Sequence, residues 1–406
     1  MEASEEKKKK TKTKTKTKAL FEVPHPLEQA DILINILSRV PTKKIFQFRC
    51  VSPFWHRVLT HPRFATCLKS NRFILMHNAS AIDPNADRWS GLLCIETDSY
   101  NPTSPSDIVF RLPFDLPTRA AEISGSCNGL LCLFGRFTDK LFYVFNPLTG
   151  EYVCLPQPPK RLPNVFFYGF GCASASKVYK IVIAIPQPNE ELEVLVHTVG
   201  TDEWRNVATA SMLLPTLEEG DGCFGTCENG TIYWLGSNGV LWGFDVEGET
   251  DRVLGLPTLS DIIKEGDVDC VVNLGLLKQS LCLIVGIRGS DSRVNVFLKK
   301  NYVVNEINQF LWKHKFVMHA AEIDNATVPL LVSKKRQMLM FHEGRLAAFT
   351  HGRKGLTKIV LGNMKTSANA AFVHYPSFAS LADDIYGLNP SVVKITKKLE
   401  YPARSM

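Results

Sequence analysis

No run of apolar residues in the 406-residue chain reaches the ~18 consecutive positions of a membrane-spanning helix, which leaves no expectation of a membrane role. Nor is there a leader of the secretory kind. The first eighteen residues, MEASEEKKKKTKTKTKTK, hold eight lysines, three glutamates and no apolar core. The signatures of common chemistries are missing as well: there is no GxSxG and no P-loop. Gly169-Phe170-Gly171 starts like a dinucleotide fingerprint, but Ser174 stands where the third glycine belongs and no helix pattern follows. His342-Glu343 starts like HExxH, but Leu346 occupies the second histidine position. Asp383-Asp384 is a carboxylate pair beside the C-terminal tail and reads as a solvated turn.

Metal-binding spacing is equally scarce. Eleven cysteines are present, an odd number, and most lie inside apolar runs such as LLCLF and SLCLIVG, as small buried hydrophobes do. Cys127/Cys132 and Cys223/Cys227 lack the CxxC spacing and the partner histidine of a zinc site. The expectation is reduced thiols, no metal, no cofactor and no catalytic residue, in a soluble protein of the cytoplasm, the nucleus or both.

The net charge of +7 suggests a nucleic-acid partner only until it is located. The first eighteen residues carry +5 of it; the remaining 39 basic and 37 acidic residues nearly cancel. Nucleic acid is therefore an unlikely partner for the body. The tail is low-complexity and expected to be disordered, with Lys7–Lys10 either a nuclear import signal or simply solvated.

Two periodicities divide the rest. In LEQADILINILSRV the positions Leu27, Ala30, Leu33, Ile34, Leu37 and Val40 follow a 3.6-residue repeat, with Ile32 and Ile36 as a second apolar strip. Pro41 ends that helix, Thr42 caps a second one over KKIFQFRCV, and Ser52-Pro53 has the form of an N-cap and first residue of a third. Pro62 is expected to stop the third. Three short helices cannot bury so many large side chains among themselves. They must pack on another part of the chain or on another protein.

Beyond about residue 71 the period is two. GLLCLFG, LFYVFNP, VYKIVIAIP, LEVLVHTVG, TIYWLG and SLCLIVGI read as strands separated by turn pairs such as Asn128-Gly129 and Asn229-Gly230. GSCNGLLCLF…VFNPLTGE recurs in outline as GTCENGTIYWL…GFDVEGET. Hairpins start near residues 128, 177, 229, 279 and 336, with a weaker one near 80. A step of about fifty residues is that of a propeller blade. The expected architecture is α+β and multidomain: a short three-helix segment, then an all-β propeller of about six blades. Five or seven blades, or a β-sandwich, are the alternatives.

HPLEQADILINILSRVPTKKIFQFRCVSPFWHRVLTHPRFA resembles an F-box, through its LP-x-D/E-x-L-x-x-I-L-x-R-L-P opening, its R-F-R-x-V-x-x-x-W centre and its later P-x-F. GSCNGLLCL, FNPLTGEYVCLP, KVYKIV, TDEWRNV and NGTIYWL resemble the plant F-box-associated, kelch-like β-propeller. The resemblance spans residues 27–381 and divides the chain into a Lys-rich tail (1–22), an F-box (23–70), a propeller (71–382) and a C-terminal tail (383–406). Two motif positions depart from the family: Leu27-Glu28 replaces Leu-Pro, with Pro26 one position upstream, and Val51-Ser52-Pro53-Phe54-Trp55 replaces V-C-K-x-W.

The resemblance implies a non-catalytic substrate adaptor of an SCF-type cullin–RING ubiquitin ligase. Its F-box binds a Skp-like linker, which bridges to cullin and RING subunits, and its propeller binds a protein target for ubiquitination. By motif position, Leu27, Ile32, Leu33, Ile36, Pro41, Val51 and Trp55 face the linker, while Phe54 and Val58 face the F-box's own core. The competing reading is that Trp55 and the isoleucines dock the helices on the propeller. A second function class is a carbohydrate-binding or sugar-oxidising propeller capped by those helices. Trp204, Trp234 and Trp242 and Tyr143, Tyr179 and Tyr233 read as blade core. Target-binding residues cannot be assigned, but the polar loops 155–164, 186–191 and 214–222 are where recognition is expected.

Overall fold

The computed structural model describes residues 30–40 and 42–68, the strands between 73 and 395 given below, most of the turns between 122 and 319, and residues 375–378 and 380–384. The Lys-rich tail, Leu27, Pro41 and the loop 209–222 lie outside the described residues.

Four helices come first: α1 (Ala30–Leu37), α2 (Thr42–Phe48), α3 (Pro53–Thr60) and α4 (Pro62–Leu68). Ser52 is extended and its Oγ accepts a hydrogen bond from the Trp55 amide at 3.2 Å, capping α3, with Pro53 at the first helical position. Sequence spacing gives three helices with Pro62 as a stop. In the structure Pro62 also opens α4, because a proline that ends one helix is equally suited to the first turn of the next.

Six sheets follow among the described residues, antiparallel throughout except where Cys223–Phe224 pairs in parallel with Phe167–Cys172. Blade 1 joins Phe73–His77, Leu92–Glu96 and Val109–Arg111 to Ala370–His374, so the last inner strand closes the ring against the first, with Phe73 opposite His374. Blade 2 comprises Glu122–Cys127, Leu130–Phe134, Phe142–Phe145 and Glu151–Cys154. Blade 3 runs from Phe167–Cys172 to Trp204–Val207, blade 4 from Thr226–Glu228 to Thr250–Leu254, blade 5 from Asp267–Leu277 to Ile307–His319, and blade 6 from Val328–Val332 to Leu356–Lys358. The inner strands 370–374, 122–127, 167–172, 226–228, 267–277 and 328–332 touch in a closed circuit. Among the described residues that circuit defines a propeller of six blades.

The turn chemistry matches the sequence. Asn128 and Gly129 have φ of 48° and 89°, and Asn229 and Gly230 have 48° and 81°. A type I′ hairpin needs both central residues at positive φ. Gly129 is doubly constrained, since a Cβ there would lie 2.2 Å from Ser377 Cβ. Asn146 accepts from the Leu148 amide at 2.9 Å and donates to the Ser377 carbonyl at 3.1 Å; Asp245, its counterpart two blades on, accepts from Gly248 at 2.6 Å.

Two features bear on the expected domain bounds. Within 383–406, Lys394–Ile395 pairs with Tyr152 and Glu151 on the outer edge of blade 2, and Asp383 and Asp384 belong to a short helix, Leu381–Asp384. The boundary near residue 71 is also not a packing boundary. Leu130, Cys132, Phe134, Phe142 and Val144 face blade 3, where they meet Tyr168, Phe170 and Ile181. Their strand neighbours Leu131, Leu133, Tyr143 and Phe145 point the other way and share one core with Leu33, Ile34, Leu37, Ile45, Val58 and Leu59 of the helices. Strands apolar on both faces need a layer on each side. For blade 2, the helices supply much of the second layer.

Candidate functional site

Helix α1 divides its apolar residues between two environments. Leu33, Ile34 and Leu37 are buried in the core shared with blade 2. Ile32 and Ile36, four positions apart and therefore on one helix face, are 39% and 49% exposed. Val51, between α2 and α3, is 57% exposed. Of the seven large hydrophobic side chains exposed among the described residues, these three lie in the helical segment. A short segment that buries one apolar face and leaves another in water has the composition of a docking surface.

The sequence-derived set therefore separates. Ile32, Ile36 and Val51 are exposed. Leu33 is 1% exposed, on the α1 face that turns toward α3 and α4 and into the core the helices share with blade 2. Trp55 is half-buried against the same core and meets Phe48 edge-on, with ring centroids 5.7 Å apart and planes at 81°. Val58 is buried and Phe54 partly so, both on the inner side. Leu27 and Pro41 lie outside the described residues.

Sequence reasoning missed the joint itself. Phe46 of α2 meets Phe378 edge-on at 5.0 Å, and the Arg49 guanidinium lies 5.5 Å from the centroid of the same ring. Burial lowers the pKa of Arg49, with the Glu151 carboxylate acting in the opposite sense. The one available signal was the unbroken apolar run LLCLF, which demands cover on both faces without naming it.

On the propeller, Trp234 and Trp242 are fully buried blade core with ring centroids 4.9 Å apart, and Tyr233, Tyr143 and Tyr179 are buried too. Trp204 is partly buried and donates Nε1–H to the Pro156 carbonyl at 2.9 Å, pinning the start of the loop expected to take part in recognition. That loop and Lys140 border a cavity of about 310 Å³ lined by residues 157–162. Lys160 in its wall pairs with Glu193 at 2.5 Å.

The F-box domain model matches residues 30–66, the four helices, and the F-box associated beta propeller domain model matches residues 85–265. Relatives in Arabidopsis thaliana include F-box protein At1g47340, 26% identical over 251 residues that cover 54% of this chain and 51% of that protein. F-box protein At1g53790 is 26% identical over 273 residues, covering 64% and 56%. F-box protein At2g23160 is 25% identical over 301 residues, covering 68% of this chain and 93% of that one. The chain spans 51% to 59% of the length of the first four curated relatives it matches. Among solved structures, apo AztD from Citrobacter koseri aligns at 9% identity with a TM-score of 0.36, covering 75% of this chain and 97% of that one, a likeness too loose to carry an argument.

The helical segment and its family match define an F-box protein. The chain belongs to the plant F-box proteins that carry an F-box-associated β-propeller, and its sheets continue through two blades beyond the matched segment.

Proposed function

We propose that this chain is the substrate-receptor subunit of an SCF-type cullin–RING ubiquitin ligase. The observation that carries the reading is the division of α1: one apolar face buried in the core that the helices share with blade 2, and a second strip, Ile32 and Ile36, exposed, as is Val51. That strip coincides with motif positions through which the F-box family engages a Skp-like linker. Cullin and RING subunits join through the linker, and the propeller holds a protein target.

The mechanism is positional. A target held on the propeller is presented to the ubiquitin-loaded conjugating enzyme at a high effective concentration, with no catalytic residue from this chain. The shared core between helices and blade 2 supports such a role, because a receptor that also hinged freely would dilute that concentration. Residence in the cytoplasm, the nucleus or both belongs to the same proposal, with Lys7–Lys10 as the import signal if the nucleus is included.

Co-purification of the full chain with a Skp-like linker tests the reading. Stoichiometric capture supports it. Failure of the folded chain to bind any Skp-like linker of the same organism overturns it.

A further inference from the structure

Three cysteines converge at the hub. Cys127 ends the inner strand of blade 2, Cys172 ends that of blade 3, and Cys227 lies on that of blade 4. These strands touch one another. Cys127 packs against the buried cluster that contains Cys172, and its thiol interacts with those of Cys172 and Cys227. The Cys227 sulfur also lies 3.2 Å from where a Cβ on Gly171 would stand, so the glycine before Cys172 leaves room for it. Cys172 is buried, while Cys127 and Cys227 retain some access to solvent. All three are free thiols.

We propose that Cys127, Cys172 and Cys227 form an oxidation site, at which a hydroperoxide converts two thiols into one interblade disulfide that always includes Cys127. The thiolate of Cys172 or Cys227 attacks a peroxide oxygen and breaks the O–O bond. This gives a sulfenic acid and, after proton uptake, water or an alcohol. Cys127 then attacks the sulfenic sulfur, its proton leaves with the hydroxyl as a second water, and the S–S bond closes. Two sulfurs supply the two electrons that reduce the peroxide.

The electrostatics favour this division of labour. Hydrogen bonding from Cys127 lowers the pKa of both Cys172 and Cys227, and the Lys177 cation adds to the effect at Cys172. Cys127 itself is raised well above the ordinary thiol value, chiefly by those same two contacts. A more acidic thiol next to a protonated partner suits attack followed by resolution. The third cysteine remains a thiol, within reach to exchange.

The test uses the full-length protein, reduced, exposed natively to hydrogen peroxide, then digested without reduction and mapped by mass spectrometry. The expected product is one disulfide joining Cys127 to Cys172 or Cys227 and released by dithiothreitol. Cys127→Ser, with its thermal transition checked against the parent, should abolish that bond, and Cys154→Ser should leave it intact. Recovery of Cys127 as a free thiol while the exposed Cys50, Cys67 and Cys154 are oxidised overturns the proposal. The wild-type map decides this even if Cys127→Ser does not fold.

Discussion

The ring of Phe46 stands edge-on to that of Phe378, with centroids 5.0 Å apart and planes at 80°, and so ties the second F-box helix to the segment that follows the last inner strand. Residues 332 positions apart in sequence thus share one core. Truncating the buried ring, Phe378→Ala, should destabilise the protein by about 3–5 kcal/mol, the usual range for a fully buried phenylalanine. Chemical denaturation measures the loss, and limited proteolysis should show new cleavage between residues 68 and 73.

Removing the F-box altogether should be worse than removing one ring. A chain starting at residue 71 uncovers Leu131, Leu133, Tyr143 and Phe145, which the helices bury in the intact protein. Light scattering at equal concentration should show the truncated propeller associating where the full chain does not. A monomeric, equally stable truncation would show that the shared core contributes little.

Lys299 of blade 5 lies 2.6 Å from Glu228 of blade 4, with side-chain exposures of 5% and 3%. Lys299 also donates to Tyr233 Oη at 2.8 Å, and Glu228 accepts from the Leu281 amide at 2.8 Å. Lys299→Met leaves a buried carboxylate without its cation and should cost roughly 3–5 kcal/mol, measured by urea unfolding. Lys299→Met with Glu228→Gln should recover part of that loss, since the stranded charge is gone.

His374, on the inner strand that closes the ring, is fully buried, and burial depresses its pKa to about 3. Its Nδ1 lies 2.9 Å from Ser126 Oγ on the neighbouring blade. The unfolded chain takes up this proton near pH 6.5, well before the folded one, so acid favours unfolding. The histidine's contribution is full above about pH 6.5 and is lost progressively as pH falls toward 3. His374→Gln should flatten the thermal midpoint against pH from about 6.5 down to 4.5. Below that, Glu249 adds a second slope: Arg205, hydrogen-bonded to it, and then Lys180 hold its pKa at about 2 against the raising effect of burial, and this contribution too vanishes on protonation.

Most of the propeller was legible because its turns are local. Each of the hairpin starts near 128, 177, 229, 279 and 336 falls at the first hairpin of a blade, and Asn-Gly pairs fix the geometry of two of them, at 128–129 and 229–230, without distant help. The closure of Phe73–His77 on Ala370–His374 was not legible, nor was the return of Lys394–Ile395 to blade 2, because neither short strand carries a mark of its partner. Within the candidate site, the two strips of α1 were visible as periodicity. Which strip turned inward was not: Leu33 and Ile32 are equally apolar, and only the core shared by the helices and blade 2 assigns one inward and the other outward. Trp55 was ambiguous for the same reason, and its contact with Phe48 places much of it in the F-box's own core.

The most direct test substitutes the exposed strip alone. Ile32→Asp with Ile36→Asp places two carboxylates on a face that is already in water, so the thermal transition should stay within about 1 kcal/mol of the parent. Against a Skp-like linker the same pair loses two apolar contacts of about 1.5–3 kcal/mol each when fully buried and adds the cost of desolvating charge. Capture should therefore fall by a hundredfold or more, a change that needs only about 2.7 kcal/mol. A double variant that keeps its fold and still binds the linker at full strength would contradict the account.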